Sequence, residues 1–319
     1  MSFLRPALLS ALLTLAAAAG AGAQTYPTQT VRIVVPFGAG SVTDGLARLL
    51  ADKLGKMWNQ QVIVENRPGV PGTTSVAQAA PDGYTLMMTS NGHTIAGVVS
   101  KNLQYDPVKD FAGVTQVAAV PFAMIVPTDL PVKSVRELID LAKQKPRQLN
   151  FSSAGVASTT FLATEIFLQD AGIEMQHVPY KGVPDAVNAV IRGDAQLYFA
   201  PIPNAQELSA AGKVRALAVT AAKRLPQLPN LPPIAEAGVP SYKYESWFGI
   251  LAPAHTPRPI VEQVSRDIAA VLKQPDVIEL LTVQGSIPTS NTPQEFDAII
   301  RADTERYSAI LRKAGVGAQ

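Results

Sequence analysis

Apolar positions along the chain follow two alternating rhythms. Short runs rich in Val, Ile and Leu, bounded by Gly, Pro, Asn or Ser, predict strands over 31–35, 62–65, 85–89, 123–126, 149–152, 196–199, 216–219 and 248–251. Longer stretches with apolar residues three and four apart predict helices over 43–57, 74–79, 135–143, 159–170, 184–192, 259–273 and 293–314. The ends are punctuated. Ser134 with Glu137 and Thr292 with Glu295 read as capping boxes, in which hydroxyl and carboxylate satisfy free helix N–H groups. Pro184, Pro259 and Pro293 stand at first helical positions, where a missing N–H costs little, and Gly193 and Gly315 close helices. The last helix carries Phe296, Ile299, Ile300, Tyr307, Ile310 and Leu311 on one stripe, a core-packing face.

Strand and helix alternate, so the expected fold is α/β, with mostly parallel sheets flanked by helices. Ligands in such folds bind beyond the carboxyl ends of strands. Three places of that kind are rich in small polar residues. After the first strand, Phe37-Gly38-Ala39-Gly40-Ser41 leads through Thr43 and Asp44 into a helix. After 85–89 come Ser90-Asn91-Gly92-His93-Thr94. After 149–152 the run is Ser152-Ser153-Ala154-Gly155-Val156-Ala157-Ser158-Thr159-Thr160. The first turn of a helix has free N–H groups and a partial positive charge, so the first and third places are cradles for a carboxylate or phosphate. Either loop alone is equally an ordinary capped helix start. The pair, in one cadence, points to a cleft that grips the two ends of a small molecule. Asp44 reads first as a favourable charge at a helix N-terminus and second as a ligand contact.

Composition narrows the setting. Arg5, the apolar run 7–19 and Ala21-Gly22-Ala23 form a secretion signal, with cleavage expected near Ala23. No later stretch reaches the length of a transmembrane helix. The chain has no Cys, hence no disulfide. A length of 319 residues is where one core tends to split into two domains. Net charge is +2 without a basic block, which argues against a nucleic-acid partner.

The chemistry-bearing residues are sparse. Gly38 and Gly40 begin a dinucleotide-type fingerprint, but Thr43 stands where the third glycine belongs, and there is no Walker loop. A hydrolase would want a G-x-S-x-G elbow, and none occurs. Of the histidines, His93 lies in a candidate loop, while His177 and His255 read as packing or surface. No His pair has metal-ligand spacing, so neither a metal nor a cofactor is expected. Trp247 and Phe248 read as core or hinge packing, and Arg67 as half of a structural ion pair.

Ordered motifs span the chain beyond the signal. They are Val-Pro-Phe-x-Ala-Gly with Thr-Asp-x-x-Ala-Arg (35–48), Val-Glu-Asn-Arg-Pro-Gly (64–69), Asp-Gly-Tyr-Thr-Leu (82–86) and Tyr-Asp-Pro (105–107). Ser-Ser-Ala-Gly (152–155), Val-Pro-Tyr-Lys-Gly (178–182), Arg-Ala-Leu-Ala-Val-Thr (215–220) and Trp-Phe-Gly-Ile-Leu-Ala-Pro (247–253) follow. In these the chain resembles the substrate-binding proteins of tripartite tricarboxylate transporters, the Bug receptors. The resemblance implies a periplasmic, monomeric, two-domain Venus-flytrap receptor that hands a small carboxylate to membrane transporter subunits. It implies a signal peptide over 1–23, one domain from 24–123 plus 253–319 and another from 124–252, with crossings near Met124 and Pro253. A ligand carboxylate would be held by Phe37 to Thr43, partly through waters and backbone groups. The second grip would come from Ser152–Ser158, with Thr159 and Thr160, and Tyr180 joins the binding set. Relatives often have Gly where this chain has Ser41 or Ala157, and commonly Asp where it has Ala200, which suggests a ligand without an ammonium group. A dicarboxylate or aromatic carboxylate is the favoured ligand. A secreted hydrolase with an unfamiliar site and a signalling receptor remain the alternatives.

Overall fold

The computed structural model describes residues 26–100, 102–155, 158–244 and 246–316. The expected signal segment lies outside these residues, as do Val156 and Ala157 of the third loop.

In chain order, β1 (Val31–Val35) leads to α1 (Val42–Trp58), β2 (Val62–Asn66), α2 (Val70–Ala77), β3 (Thr85–Ser90), a 3-10 turn (Asn91–Ile95) and α3 (Ala96–Val99). Next come β4 (Phe111–Ala119), β5 (Phe122–Pro127), α4 (Val135–Gln144), β6 (Asn150–Ser153), α5 (Thr159–Ala171) and β7 (Gln176–Pro179). Then follow α6 (Val183–Ile191), β8 (Tyr198–Pro201), α7 (Ile202–Ala210) and β9 (Val214–Val219). The chain closes with β10 (Trp247–Pro253), α8 (Arg258–Val271), α9 (Pro275–Val283), β11 (Ile287–Pro288) and α10 (Pro293–Lys313). Each expected strand and helix has a counterpart. The helix expected from 74 starts earlier, at Val70, because Gly69 at φ 78° turns the chain and Pro71 fits the first turn. The Thr292–Glu295 capping box forms in full, whereas Glu137 reaches back to Lys133 N beside the Ser134 cap.

The α/β class holds and the fold has two lobes, but the sheets are mixed rather than mostly parallel. The first sheet has the order β11–β4–β10–β3–β1–β2. β1 runs parallel to β2 and β3, while β10 is antiparallel to β3 and β4, and β11 to β4. In the second lobe β5 is antiparallel to β8 and β9, and β6 is parallel to β7. A parallel bridge from Phe151 to Leu197 joins the two groups. The reason lies in the crossing. The chain leaves the first sheet at Ala119 and starts β5 in the second sheet at Phe122. It returns at Trp247, which pairs with Ala119. An outgoing and an incoming strand that meet at one end must run antiparallel. The residues named for the expected crossings lie within these strands. Met124 lies inside β5, opposite Phe199 and Ala218, and Pro253 sits at the far end of β10, opposite Phe111.

Helix α10 ties the lobes together. Its Phe296 and Ile300 pack with Trp247 and Leu251 against the first sheet. Its Tyr307 and Leu311 join the core built from Phe151, Phe161 and Phe167 in the second lobe. The expected apolar stripe is therefore real, and it serves two cores. Contact with the first sheet depends on Gly249. A Cβ there would collide with the Phe296 ring and lie 2.9 Å from Thr115 O.

Gly249→Ala should therefore overpack a site closed on one side by backbone, costing about 1–3 kcal/mol. A thermal melt should show a drop of several degrees, while Gly97→Ala, whose Cβ meets nothing within 4 Å, should be neutral or slightly stabilising.

Candidate ligand-binding site

Strand β1 is buried except at Arg32, and Pro36 just after it is buried; beyond it Gly38, Ala39 and Gly40 are exposed. Gly40 takes φ 80°, a left-handed conformation that suits glycine. A Cβ on Gly38 or Gly40 would meet nothing within 4 Å, so this loop borders open space. Ser41 caps α1, accepting from Asp44 N at 3.2 Å. Asp44 turns inward. Its carboxylate accepts from Gly40 N at 2.8 Å, from Arg48 Nε at 3.1 Å and from Asn66 Nδ2 at 3.0 Å. Asn66 also donates to Phe37 O at 3.2 Å, and Arg48 donates to Asn66 Oδ1 at 3.1 Å. The Thr-Asp-x-x-Ala-Arg and Val-Glu-Asn-Arg motifs are thus two halves of one network that closes the loop from below. The Arg48 bond, then the Gly40 N–H, draw the Asp44 pKa down to about 2. Asp44 and Thr43 are buried, and Asp44 holds the loop through Gly40 N. A helix leaves its first N–H groups without intrahelical carbonyl partners, and in α1 the Ser41 hydroxyl takes that of Asp44.

The third loop is built differently. Ser158 caps α5, accepting from Phe161 N at 3.1 Å and donating to Gly155 O at 2.6 Å. Thr160 Oγ1 accepts from Ala154 N at 3.1 Å. Ser153 Oγ accepts from Gly155 N at 3.1 Å and lies 2.6 Å from His177 Nε2. The His177 ring packs on Phe151 and Phe161, with centroids 4.8 and 4.5 Å away. Burial lowers its pKa to about 4, so the ring stands neutral beside the Ser153 hydroxyl. This Ser–His contact resembles half a catalytic dyad, yet Ser153 is fully buried and fixes the loop. Ser152 is equally buried and donates to Ala186 O at 2.9 Å. Tyr180 N donates to Ser153 O at 3.0 Å, which brings Tyr180 beside the loop.

Topology decides which loops share an edge. β1 and β3 are parallel neighbours, so Phe37–Ser41 and Ser90–Asn91 leave the same carboxyl edge. β6 and β7 are parallel too, so the Ala154–Thr160 loop and Tyr180 share an edge of the second sheet. Among the described residues, hydrogen bonds tie the second place to the third. Asn91 Nδ2 donates to Tyr244 Oη at 3.1 Å, and Tyr244 donates to Thr159 O at 3.0 Å. The first place is tied to β2 instead, through Asn66.

Ser90 is buried at the end of β3, opposite Phe248. Ala200 departs from expectation. It is fully buried in an apolar cluster with Ala123, Tyr198 and Ile202, because strand alternation puts it on the face opposite Phe199, which packs with Phe167 of α5. His93 is core as well, stacked on Tyr105 and 2.8 Å from Pro107 O. Trp247 and Phe248 are buried, and Arg67 pairs with Glu65, as expected. Asn66, His177 and Tyr244 were not expected to contribute. Asn66 stood inside a motif, whereas Tyr244 had no local signal. Two open grooves, of about 500 Å³ beside Arg266 and Asn291 and about 550 Å³ beside Arg215 and Gln227, lie away from these loops.

Comparison with known proteins places this geometry. Residues 46–316 match the family model described as tripartite tricarboxylate transporter family receptor. Protein BugT of Bordetella pertussis is 32% identical over 93% of this chain and 93% of its own. The R. palustris protein Rpa4515, solved with adipate, is 37% identical, with a TM-score of 0.78 over 92% of this chain and 100% of its own. MatC (Rpa3494) from Rhodopseudomonas palustris, solved with malate, is 30% identical, with a TM-score of 0.74 over 90% of this chain and 100% of its own.

The buried histidines predict how stability varies with pH. Burial lowers His93 and His177 from 6.5 to about 4, so the unfolded chain binds protons first. Their contribution is complete above pH 6.5 and is lost as pH falls toward 4. Asp44 acts lower, its contribution present above about pH 4 and lost as pH falls through about 2. Glu165, raised by burial to about 7, acts in the opposite direction over this window, so the test is the difference: between pH 7 and pH 4.5 the melting temperature of His177→Gln should fall less, or rise more, than that of the unmodified protein.

Proposed function

Because the chain belongs to the tripartite tricarboxylate transporter receptor family, a family of periplasmic solute-binding receptors, we propose that its two lobes capture a small carboxylate for uptake by the transporter's membrane subunits. The observation that carries this reading is the pair of capped helix starts, α1 after Gly38-Ala39-Gly40 and α5 after the Ala154–Ser158 loop. Each offers N–H groups and a positive helix end to an anion. Two solved relatives hold adipate and malate, which supports a carboxylate, with a dicarboxylate or an aromatic carboxylate favoured here. The contacts would come from Gly38, Ala39, Gly40 and Ser41 on one side and from Ala154, Ser158, Thr159 and Tyr180 on the other. Asp44 holds the first loop in shape, and Ser153, with His177, the second. With the Asp44 carboxylate engaged by its own loop, the first grip presents no free anion for a ligand ammonium. The family's members are solute receptors, so the hydrolase reading is set aside.

The lobes in this reading comprise residues 24–120 with 246–319, and residues 121–245. The mature chain acts as a monomer in the periplasm after cleavage near Ala23.

A thermal-shift screen with adipate, malate, benzoate and aspartate tests the reading. A ligand at a hundredfold its Kd stabilises the native state by about 2.7 kcal/mol, so adipate or benzoate should raise the melting temperature by several degrees and aspartate should not. Gly38→Trp, built into open space, should abolish that rise while leaving the ligand-free melt in place. If no carboxylate shifts the melt, the proposed ligand class is wrong.

A further inference from the structure

The hinge has three strands of chain, and one side chain touches all of them. Tyr244 lies on the returning segment between β9 and β10. Its ring stacks on Phe122, the first residue of β5 after the outgoing crossing, at 6.5 Å and 20° between planes. On another side the ring meets Tyr307 of α10 at 6.2 Å and 51°. Both crossings and the helical tie therefore converge on one aromatic ring, 4% exposed.

The hydroxyl does something different from the ring. It accepts from Asn91 Nδ2 at 3.1 Å and donates to Thr159 O at 3.0 Å. Asn91 begins the 3-10 turn at the carboxyl edge of the first sheet, next to β1 and its loop. Thr159 is the first residue of α5, directly after the Ser158 cap. One oxygen thus connects the binding edge of the first lobe to the helix start offered by the second. A phenol has one donor and can accept, and this arrangement uses both. Asn91 is fully buried, so a bond lost here is not replaced cheaply by solvent. Ring packing on Tyr307 alone would allow the first lobe to slide past Tyr244; the Asn91 bond crosses between the lobes, and the Thr159 bond carries its direction on to the α5 start.

We infer that the Tyr244 hydroxyl is a positioning residue of the receptor, holding the α5 start in register with the first lobe so that the two grips meet one ligand. This inference rests on the proposed capture between lobes. It adds that alignment is set at the hinge, before any ligand arrives.

The absence of cysteine makes the test direct. Spin labels on Lys56→Cys of α1 and Gln144→Cys of α4, both exposed, report the distance between lobes in the mature full-length chain. With Tyr244 intact, the ligand-free protein should give a narrow distance distribution. Tyr244→Phe keeps the ring and removes the oxygen. It should broaden that distribution and weaken adipate binding roughly three- to tenfold, as expected for loss of one or two buried hydrogen bonds. Asn91→Leu should broaden it similarly, and the double variant should add little to either, because both changes break one relay. A lowered melting temperature with an unchanged distance distribution would mark the hydroxyl as a stabilising contact only and overturn the inference. So would full additivity of the two variants. If the unmodified protein binds neither adipate nor any other carboxylate in the screen, the capture reading fails, while the ligand-free distances still decide whether Tyr244 sets the register.

Discussion

The antiparallel meeting of β4 and β10 is the constraint from which the rest of the architecture follows. One strand carries the chain out of the first sheet and the other brings it back, and Trp247 sits opposite Ala119 where they meet. That pairing fixes the location of both crossings at one end of the sheet. It also places β10 between β3 and β4, where every residue is buried. Gly249 at its centre lets Phe296 of α10 approach, and α10 then runs on to reach the second core through Tyr307 and Leu311. Three chain segments thereby join the lobes on one side, and the candidate binding loops leave the carboxyl edges of the sheets.

The two grips share a local plan but are stabilised by different chemistry. A carboxylate, Asp44, organises the first, drawing on a backbone N–H, a guanidinium and a side-chain amide. Hydroxyls organise the second, with Ser158, Thr160 and Ser153 satisfying one another and the backbone. The difference follows from the surroundings. The side chain of Arg48 is about half exposed, so an ion pair with Asp44 keeps one partner solvated and avoids the penalty of burying both charges. His177 sits against two phenylalanines, where a charge would be costly, and the neutral ring is paired with a neutral hydroxyl.

Much of this was legible in the sequence, and the gaps have physical causes. Caps and turns are local, so the starts of α1, α4, α5 and α10 could be read from Ser41, Ser134, Ser158 and Thr292. β4 could not, because Gly113, Thr115 and Gln116 interrupt its apolar run. In the folded chain the polar pair is satisfied by Asn291, which exchanges hydrogen bonds with Thr115 and Gln116 at 2.9 Å. Without β4 the partner of β10 is not legible, nor is the mixed sheet that their antiparallel pairing creates. The candidate site was found as loops, but not sorted by role. Nothing local distinguishes Ser153, wholly buried, from Ser158, which caps an accessible helix start. Ala200 was misplaced for the same reason: which face a strand residue takes depends on the neighbour it packs against.

The proposed grip by helix ends rather than by cationic side chains has a structural consequence. A guanidinium on a flexible stem can follow a ligand that sits slightly out of place, whereas a backbone N–H at a capped helix start cannot. The direction of each grip is fixed by its cap, and the caps are fixed by Asp44 and Asn66 on one side and by Thr160 and His177 on the other. Binding by two such rigid ends is then governed by how well they are registered. In the proposed reading that register is set away from the ligand, at the buried side of the molecule where Phe122, Tyr244 and Tyr307 meet. The uncharged character of the grips and the dense aromatic packing of the hinge are therefore two parts of one design: the less the contacts can adapt, the more accurately the hinge must hold them.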